Sequence, residues 1–143
     1  MKTLRQLLAS KTQPLATVSP NDAVYDALKK MADNDVGALL VLDGERLVGI
    51  FSERDYARKI ILQGKASKDT RVSEIMSDKV LYVTLDRTVS ECMAIMSEKH
   101  FRHLPVLDEN QQVVGIVSIG DMVKETICEK EFIIRQLEQY ITG

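Results

Sequence analysis

The sequence predicts an α+β fold built from two copies of one strand-helix-strand-strand-helix unit, packed with pseudo-twofold symmetry. The first observation behind this prediction is an internal repeat. Residues 18–43 align with residues 83–108, and residues 48–55 align with residues 114–121 after one inserted turn residue, with 12 identities in 34 positions. The second observation is size. A chain of 143 residues with 45% hydrophobic residues can bury a shared core, whereas one copy is too small to do so alone.

Both copies predict the same elements in the same order. A short extended segment leads into a helix, which we expect to begin at residues 19–22, where polar side chains surround a first-turn proline. Two apolar runs around a short polar turn then predict a hairpin, and a second helix follows. The paired segments are 15–18 and 80–83 for the lead strands, 38–43 and 103–108 for the first hairpin strands, and 47–51 and 113–117 for the second hairpin strands.

These elements divide the chain into five parts. We assign residues 1–14 to an N-terminal lead helix or segment and residues 15–62 to the first repeat. Residues 63–78 form the predicted linker, whose first half is polar and contains a glycine. Residues 79–128 form the second repeat, and residues 129–143 form a C-terminal helical extension.

The C-terminal extension continues an apolar stripe at helical spacing. Lys130 interrupts the stripe, which consists of Val123, Ile127, Ile134, Leu137 and Ile141. Such a stripe usually covers a core, but one that runs so far beyond the repeat also suits a dimer seam. Both interpretations stay open at this point.

Composition argues against several classes of function. The charges nearly cancel, with 19 basic and 21 acidic residues for a net charge of −2, so nucleic-acid binding by bulk charge is disfavoured. The longest apolar run, residues 38–42, is far shorter than the roughly 20 residues of a membrane span. Cys92 and Cys128 form no CxxC motif, and we expect both to be buried in a cytoplasmic protein without an export signal.

A Ser-x-x-Asp motif follows both hairpins and carries the first chemical signal. It occurs as Ser52 to Asp55 and as Ser118 to Asp121. The motif has two interpretations. In the first, a serine followed by an acid three residues later is a capping-box-type helix start, which would recur wherever the fold recurs. The same carboxylate can also accept two hydrogen bonds from a ribose diol, and the two interpretations are compatible.

Two neighbouring patterns are weaker evidence for a functional site. His100 and His103 form an H-x-x-H pair, but His103 opens a strand and no third ligand lies nearby, so we predict no metal site. Arg58 and Lys59 are expected on a solvated helix face. Arg54 is an exception to this rule because it lies inside the repeated turn.

Tandem units of this kind, with hydrophobic-Pro-Val-hydrophobic-Asp and Gly-hydrophobic-hydrophobic-Ser-x-x-Asp motifs, resemble a pair of cystathionine-β-synthase (CBS) domains. The resemblance covers about residues 7–128. It implies that the repeats pack through their sheets and that adenosine-containing ligands, AMP, ADP, ATP or NAD(H), lie in two clefts between them. It also implies that the motif Asp holds the ribose hydroxyls and that basic residues before the Pro-Val strand hold phosphate.

Carried over residue by residue, the resemblance implies that the cleft headed by Asp121 has the more complete set of ligand-binding residues. Arg102 and His103 stand at its phosphate positions, and Arg54 is expected to reach the same phosphates from the first repeat. The implied nucleotide-binding residues of this cleft are Lys11, Ala16, Val36, Arg54, Arg102, His103, Ser118 and Asp121.

The cleft headed by Asp55 is implied to be the weaker site. Gly37 and Ala38 stand where the second repeat has Arg102 and His103, so this cleft is expected to lack a phosphate grip. Gly120 stands at the position equivalent to Arg54. The implied residues of this cleft are Ser52, Asp55, Lys79, Leu81 and Phe101.

We therefore expect a regulatory, nucleotide-sensing module and not an enzyme, because no nucleophile, base and orienting group converge in the sequence. The expected partners are an adenine nucleotide, a second copy in a homodimer and an unidentified regulated protein. Nucleic acid, membrane, metal and catalytic cofactor are not expected. Two alternatives stay open: a ligand-independent protein-interaction scaffold and, less favoured, a nucleotide-handling enzyme with His103 as acid or base.

Overall fold

The computed structural model of the protein describes residues 2–10 and 15–142. Within these ranges the chain forms two three-stranded sheets with helices packed on them. The elements are, in chain order, α1 (Leu4–Ser10), β1 (Thr17–Val18), α2 (Val24–Asn34), β2 (Ala38–Asp43), β3 (Arg46–Ser52), α3 (Glu53–Tyr56) continued by a π-helical turn (Ala57–Ile61), α4 (Val72–Ile75), β4 (Val83–Thr84), α5 (Val89–Lys99), β5 (His103–Leu107), β6 (Val113–Ser118) and α6 (Ile119–Thr142).

The two sheets have the same topology, which confirms the predicted α+β duplication. In each sheet a short first strand pairs parallel with the second, and the second pairs antiparallel with the third. Val41 lies opposite Gly49 in one sheet, and Val106 lies opposite Gly115 in the other. The register shifts directly after that valine in both sheets. The duplication therefore extends to the register, as expected for strands whose apolar side chains must face one core.

The two helices that precede the hairpins begin differently. At α5, Thr88 Oγ1 accepts the Glu91 N–H at 3.2 Å, which caps the helix. α2 begins only at Val24, because the Ser19 N–H donates to Asp22 Oδ2 at 2.9 Å and closes a turn before the helix. The predicted start of α2 within this turn is therefore too early. Its polar side chains satisfy the turn rather than the first N–H groups of the helix.

The segment that leads into one repeat completes the hydrophobic core of the other. Leu4 and Leu7 of α1 are buried in the core of the second repeat. Val72 and Ile75 of α4 are buried in the core of the first repeat. Residues 63–78, assigned above to a linker, thus contribute two apolar side chains to the first core. The two repeats are tied together by this exchange of lead segments.

α6 is the longest helix, and only its beginning is packed. Met122 is fully buried in the second core, whereas the side chains from residue 130 to residue 141 are mostly solvent-exposed. Among the helices of residues 2–10 and 15–142, none combines the length and the apolar character needed to cross a bilayer.

Candidate functional site

Each Ser-x-x-Asp motif forms a capping box at the start of a helix. At the first motif, Asp55 Oδ2 accepts the Ser52 N–H and the Ser52 hydroxyl, both at 3.0 Å, and Ser52 Oγ accepts the Asp55 N–H at 3.2 Å. At the second motif, Asp121 Oδ2 accepts the Ser118 N–H at 2.9 Å, and Ser118 Oγ accepts the Asp121 N–H at 3.1 Å. The capping interpretation is therefore confirmed. A carboxylate has about four acceptor positions, so these bonds leave room for further donors.

A backbone hydrogen bond holds each motif beside the residue that precedes its own hairpin. The Glu53 N–H donates to the carbonyl oxygen of Gly37 at 3.1 Å, and the Ile119 N–H donates to that of Arg102 at 2.9 Å. Gly37 and Arg102 occupy equivalent positions in the two repeats. Each motif thus starts from the same backbone arrangement, and the differences between the two sites come from side chains.

The first motif opens onto a cavity of about 380 Å³ that both repeats line. This volume falls in the range of roughly 300–1,000 Å³ that is typical of small-molecule sites. The second repeat contributes the end of α5 and the start of β5. The lining residues are Gly37, Ile50, Ser52, Glu53, Arg54, Asp55, Arg58, Ser77, His100, Phe101, Arg102 and His103.

Three arginines line the same cavity as the Asp55 carboxylate. Arg54, Arg58 and Arg102 line it, against the acidic side chains of Glu53 and Asp55. Guanidinium groups bind phosphate oxygens in a planar, two-pronged geometry, so this lining is suited to a phosphorylated ligand.

Lys59 adds a link between this site and α4. Its Nζ lies 3.9 Å from Asp55 Oδ1 and donates to the carbonyl oxygen of Ile75 at 3.0 Å. The Asp55 side chain is only 17% exposed, so Lys59 is a close counter-charge for a largely enclosed carboxylate.

The second motif opens onto a smaller cavity. The described residues enclose about 190 Å³, lined by Asp35, Val36, Gly37, Ala38, His103, Ile116, Ser118 and Asp121. No lysine or arginine of residues 2–10 and 15–142 is among them. Glu125 stands four residues after Asp121, where the first motif has Lys59, and it pairs with Lys2 at 3.1 Å. The described lining of the Asp121 cavity thus contains two carboxylates, of Asp35 and Asp121, whereas that of the Asp55 cavity contains two carboxylates and three guanidinium groups.

The structure places two of the predicted arginines beside Asp55 and not, as expected, beside Asp121. Arg54 and Arg102 line the cavity of Asp55 and do not line the cavity of Asp121. His103 lines both cavities. The reason is that the motif of each repeat faces the start of the hairpin in the other repeat, so the arginine before β5 meets the motif after β3.

The other predicted residues fall into three groups. Val36 lies with Ser118 and Asp121, and Phe101 lies with Ser52 and Asp55, as grouped above. Lys11 lies outside the described residues. The residues that line neither cavity are Ala16, Lys79 and Leu81; Ala16 packs against the first core, and Leu81 is 37% exposed.

Sequence reasoning missed several lining residues, of which Arg58 and His100 matter most chemically. Arg58 is solvent-exposed, as expected, but it also lines the cavity. It follows Arg54 by four residues, a spacing that places two side chains on one helical face. His100 ends α5 in the left-handed conformation, with φ of 60°, and Asp35 ends α2 in the same way. The sequence signal that could have identified His100 is its alignment with Asp35 in the repeat.

The two cysteines differ in exposure and in reactivity. Cys92 is buried, and this burial raises the pKa of its thiol to about 11, so the thiol is neutral and unreactive near pH 7. Cys128 is exposed on α6, which corrects the expectation that both cysteines are buried. Within residues 2–10 and 15–142, no three His, Cys, Asp or Glu side chains are grouped to hold a metal ion.

Comparison with known proteins identifies the repeat. The model of the CBS domain family matches the chain twice, at residues 5–62 and 72–127. A mitochondrial CBS domain-containing protein of Arabidopsis thaliana, CBSX3, is 41% identical over 128 residues, which are 86% of this chain and 62% of that protein. The solved structure of a CBS-domain protein from Burkholderia ambifaria is 51% identical with a TM-score of 0.85, covering 89% of this chain and 95% of the other.

Two further structural neighbours contain bound ligands. The structure of CBSX2 in complex with AMP is 27% identical, with a TM-score of 0.72, and covers 91% of this chain and 99% of the other. The CBS domain pair of protein MJ0100, in complex with 5′-methylthioadenosine and S-adenosyl-L-methionine, is 26% identical with a TM-score of 0.79 and covers 90% and 98%. These ligands share an adenosine group.

Proposed function

We propose that this chain, which belongs to the CBS-domain family, is a regulatory module that binds an adenosine-containing ligand, AMP, ADP, ATP or NAD(H), between its two repeats. The observation that carries the proposal is the cavity of about 380 Å³ that Arg54, Arg58 and Arg102 line together with the Asp55 motif. The adenosine ligands of the two neighbouring structures support the choice of ligand class.

The cavity lining contains groups that suit the ribose, the phosphate and the base of a nucleotide. In the proposed complex, the Asp55 carboxylate accepts hydrogen bonds from the ribose hydroxyls, for which it has acceptor positions beyond those used by Ser52. Arg54 and Arg102 then bind the phosphate. Ile50 and Phe101 provide apolar surface for the remainder of the ligand.

The proposed order of occupancy favours the Asp55 cavity over the Asp121 cavity. Both have the same motif, but the first has twice the described volume, and its lining includes Arg54, Arg58 and Arg102, whereas no arginine is among the described lining residues of the second. Its cationic lining favours ligands that carry phosphate, because charge-assisted hydrogen bonds contribute more than neutral ones.

Regulation requires that the ligand bind two arrangements of the repeats unequally. The cavity spans both repeats, so a ligand that contacts Asp55 and Arg102 together favours one arrangement of their interface. A regulated protein that contacts the module then detects this shift. We also propose that the chain acts as a homodimer in the cytoplasm, where the two free cysteines stay reduced.

The experiment that tests the proposal compares AMP with adenosine by isothermal titration calorimetry. We expect wild-type protein to bind AMP more tightly than adenosine. Arg102→Gln should weaken AMP by roughly 10–100-fold while leaving adenosine nearly unchanged, since only AMP loses a charge-assisted contact. Arg46→Gln, at an exposed hairpin position, is the matched control and should change neither ligand.

Three results would contradict the proposal. Failure of the wild-type protein to bind any adenine nucleotide would contradict the proposed class of ligand. Equal weakening of AMP and adenosine by Arg102→Gln would show that Arg102 acts through the fold and not through phosphate. Conversion of a bound nucleotide into a product, followed by chromatography, would show an enzyme in place of a sensor.

A further inference from the structure

The C-terminal part of α6 presents a long apolar stripe that nothing in the described chain covers. Val123 is 42% exposed and Ile141 is 81% exposed, and the exposed fraction rises along the helix between them. The other stripe residues are Ile127, Ile134 and Leu137. The sequence left open whether this stripe covers the core, and its exposure shows that it does not.

The stripe is distinct from the face by which α6 packs on the protein. Met122 is fully buried on that face, and the Thr126 hydroxyl beside it contacts the sulfur of Met93 in α5 at 3.2 Å. With 3.6 residues per turn, the stripe lies about a quarter turn away from this packed face. α6 can therefore stay docked on its own core while the stripe contacts another molecule.

The stripe follows the spacing of a coiled-coil seam. Its positions alternate between steps of three and four residues from Val123 to Ile141, with Lys130 as the one polar member. Phe132 is exposed on the opposite face and is not part of the seam. We propose that the seam pairs antiparallel with the same seam of a second copy of this chain. The inference rests on the homodimer proposed above, and it specifies the surface and the orientation.

Lys130 decides the orientation. In a parallel pair, the two Lys130 ammonium groups face each other within the seam, which is unfavourable because like charges repel at short range. In the antiparallel pair, Lys130 faces Ile134 of the second copy, and its ammonium group extends toward Glu131 of the second copy at the edge of the seam. Ile127 then faces Leu137, and Val123 faces Ile141.

The area of the exposed apolar surface approaches the area that each partner buries in a standard interface. Ile133 and Tyr140 border the seam and are 49% and 87% exposed. With the five stripe residues they expose roughly 700 Å² per chain, at on the order of 100 Å² for each side chain, close to the ~800 Å² per partner of a standard interface.

Charge argues against a membrane as the occupant. Residues 129–142 contain three glutamates against one lysine and one arginine. A helix that lies on an anionic bilayer is rich in lysine and arginine on its polar face, so this segment lacks the required charge. Interspersed charges of both signs suit pairing with an identical helix.

Sedimentation equilibrium over a wide concentration range tests the surface. We expect the wild-type full chain to be a dimer and Leu137→Glu to raise the dimer dissociation constant by roughly 100-fold, since an apolar contact is lost from each copy. Gln139→Glu introduces the same charge on the outer face and should leave the constant unchanged. Circular dichroism confirms that both variants keep the helix content of the wild type.

The outcomes separate the surface from the homodimer itself. A wild-type chain that stays monomeric at every concentration would overturn both proposals. A Leu137→Glu variant that dimerises as tightly as wild type would overturn the seam while leaving a homodimer through another face.

Disulfide crosslinking tests the orientation in a Cys128→Ser background, which removes the exposed native thiol. In the antiparallel pair, a mixture of Lys130→Cys and Ile134→Cys chains should form mixed disulfide dimers, because these positions face each other. Ile134→Cys alone should not crosslink efficiently. Efficient crosslinking of Ile134→Cys with itself would indicate a parallel pair and overturn the proposed orientation.

Discussion

The Asp55 and Asp121 cavities are two versions of one site, built from equivalent elements with different side chains. Both have a Ser-x-x-Asp capping box, and both are lined by the end of a helix and the start of a hairpin from the other repeat. They differ where Arg102 is replaced by Gly37 and where Arg54 is replaced by Gly120. The described lining of the first cavity is consequently cationic and that of the second is acidic, and the first cavity is also about twice as large.

This difference separates the folding role of the motif from the binding role that we propose for its surroundings. The serine and the aspartate hold the start of a helix in both repeats, so their recurrence requires no ligand. The residues around the motif are not needed for the cap, and they are the ones that differ. The neighbours of the motif are therefore a better guide to ligand preference than the motif itself.

The largest effect is expected from neutralising the two aspartates in turn. Asp55→Asn should weaken AMP binding by roughly 10–100-fold, because a charged acceptor for the ribose hydroxyls is lost. The asparagine oxygen can still accept the Ser52 N–H, so the cap is largely kept. Asp121→Asn is the matched control and should have a much smaller effect on the affinity for AMP at the Asp55 cavity. Calorimetry that shows equal losses for the two variants would mean that the cavities are equivalent.

A smaller effect, a gain of binding, is expected from transferring the arginines to the second cavity. The double variant Gly37→Arg, Gly120→Arg places guanidinium groups at the positions equivalent to Arg102 and Arg54. A Cβ atom at Gly37 lies 3.8 Å from His103 Nε2, and one at Gly120 lies 3.6 Å from Ser118 Oγ, both ordinary contacts. We expect affinity for AMP at the Asp121 cavity to rise about tenfold.

The control for this gain is the double variant Gly37→Gln, Gly120→Gln, which adds side-chain bulk without charge. Calorimetry should show a second bound AMP in the arginine variant and not in the glutamine variant. Identical titrations of the two variants would show that charge at these positions does not distinguish the cavities.

The smallest effect is expected from alanine substitutions at two glycines that the lead segments approach closely. A Cβ atom at Gly49 would lie 2.6 Å from the sulfur of Met76 and 3.0 Å from the backbone oxygen of Ser77, whereas at Gly115 it would meet the side-chain end of Leu8 at 2.9 Å. Ser77 is held by a bridge to Ile50, so its backbone cannot move easily. Gly49→Ala should therefore cost about 1 kcal/mol more than Gly115→Ala.

Denaturant unfolding followed by circular dichroism measures this difference in the free energy of unfolding. The comparison bears on the site, because Ser77 also lines the Asp55 cavity. If the two glycine variants are equally stable, the bridge at Ser77 is not the rigid contact that its hydrogen bonds suggest.

Sequence reasoning succeeded for features that depend on neighbouring residues. The alignment of Val48 to Asp55 with Val114 to Asp121 predicted the duplicated hairpin and the capping boxes, and both are present. It failed at the start of α2, because the hydrogen bond between Ser19 and Asp22 competes with helix capping, and a list of capping residues does not show which bond is formed.

By itself, the sequence of this protein determined the repeat, its strands and helices, and the two Ser-x-x-Asp motifs. Those properties follow from local periodicity and local hydrogen bonding, which act within a few residues of the chain. Only the tertiary structure decided that Arg102 belongs with Asp55, and that the stripe from Val123 to Ile141 lies away from the core. Periodicity shows which face of an element is apolar, but the packing of the two repeats determines what that face meets.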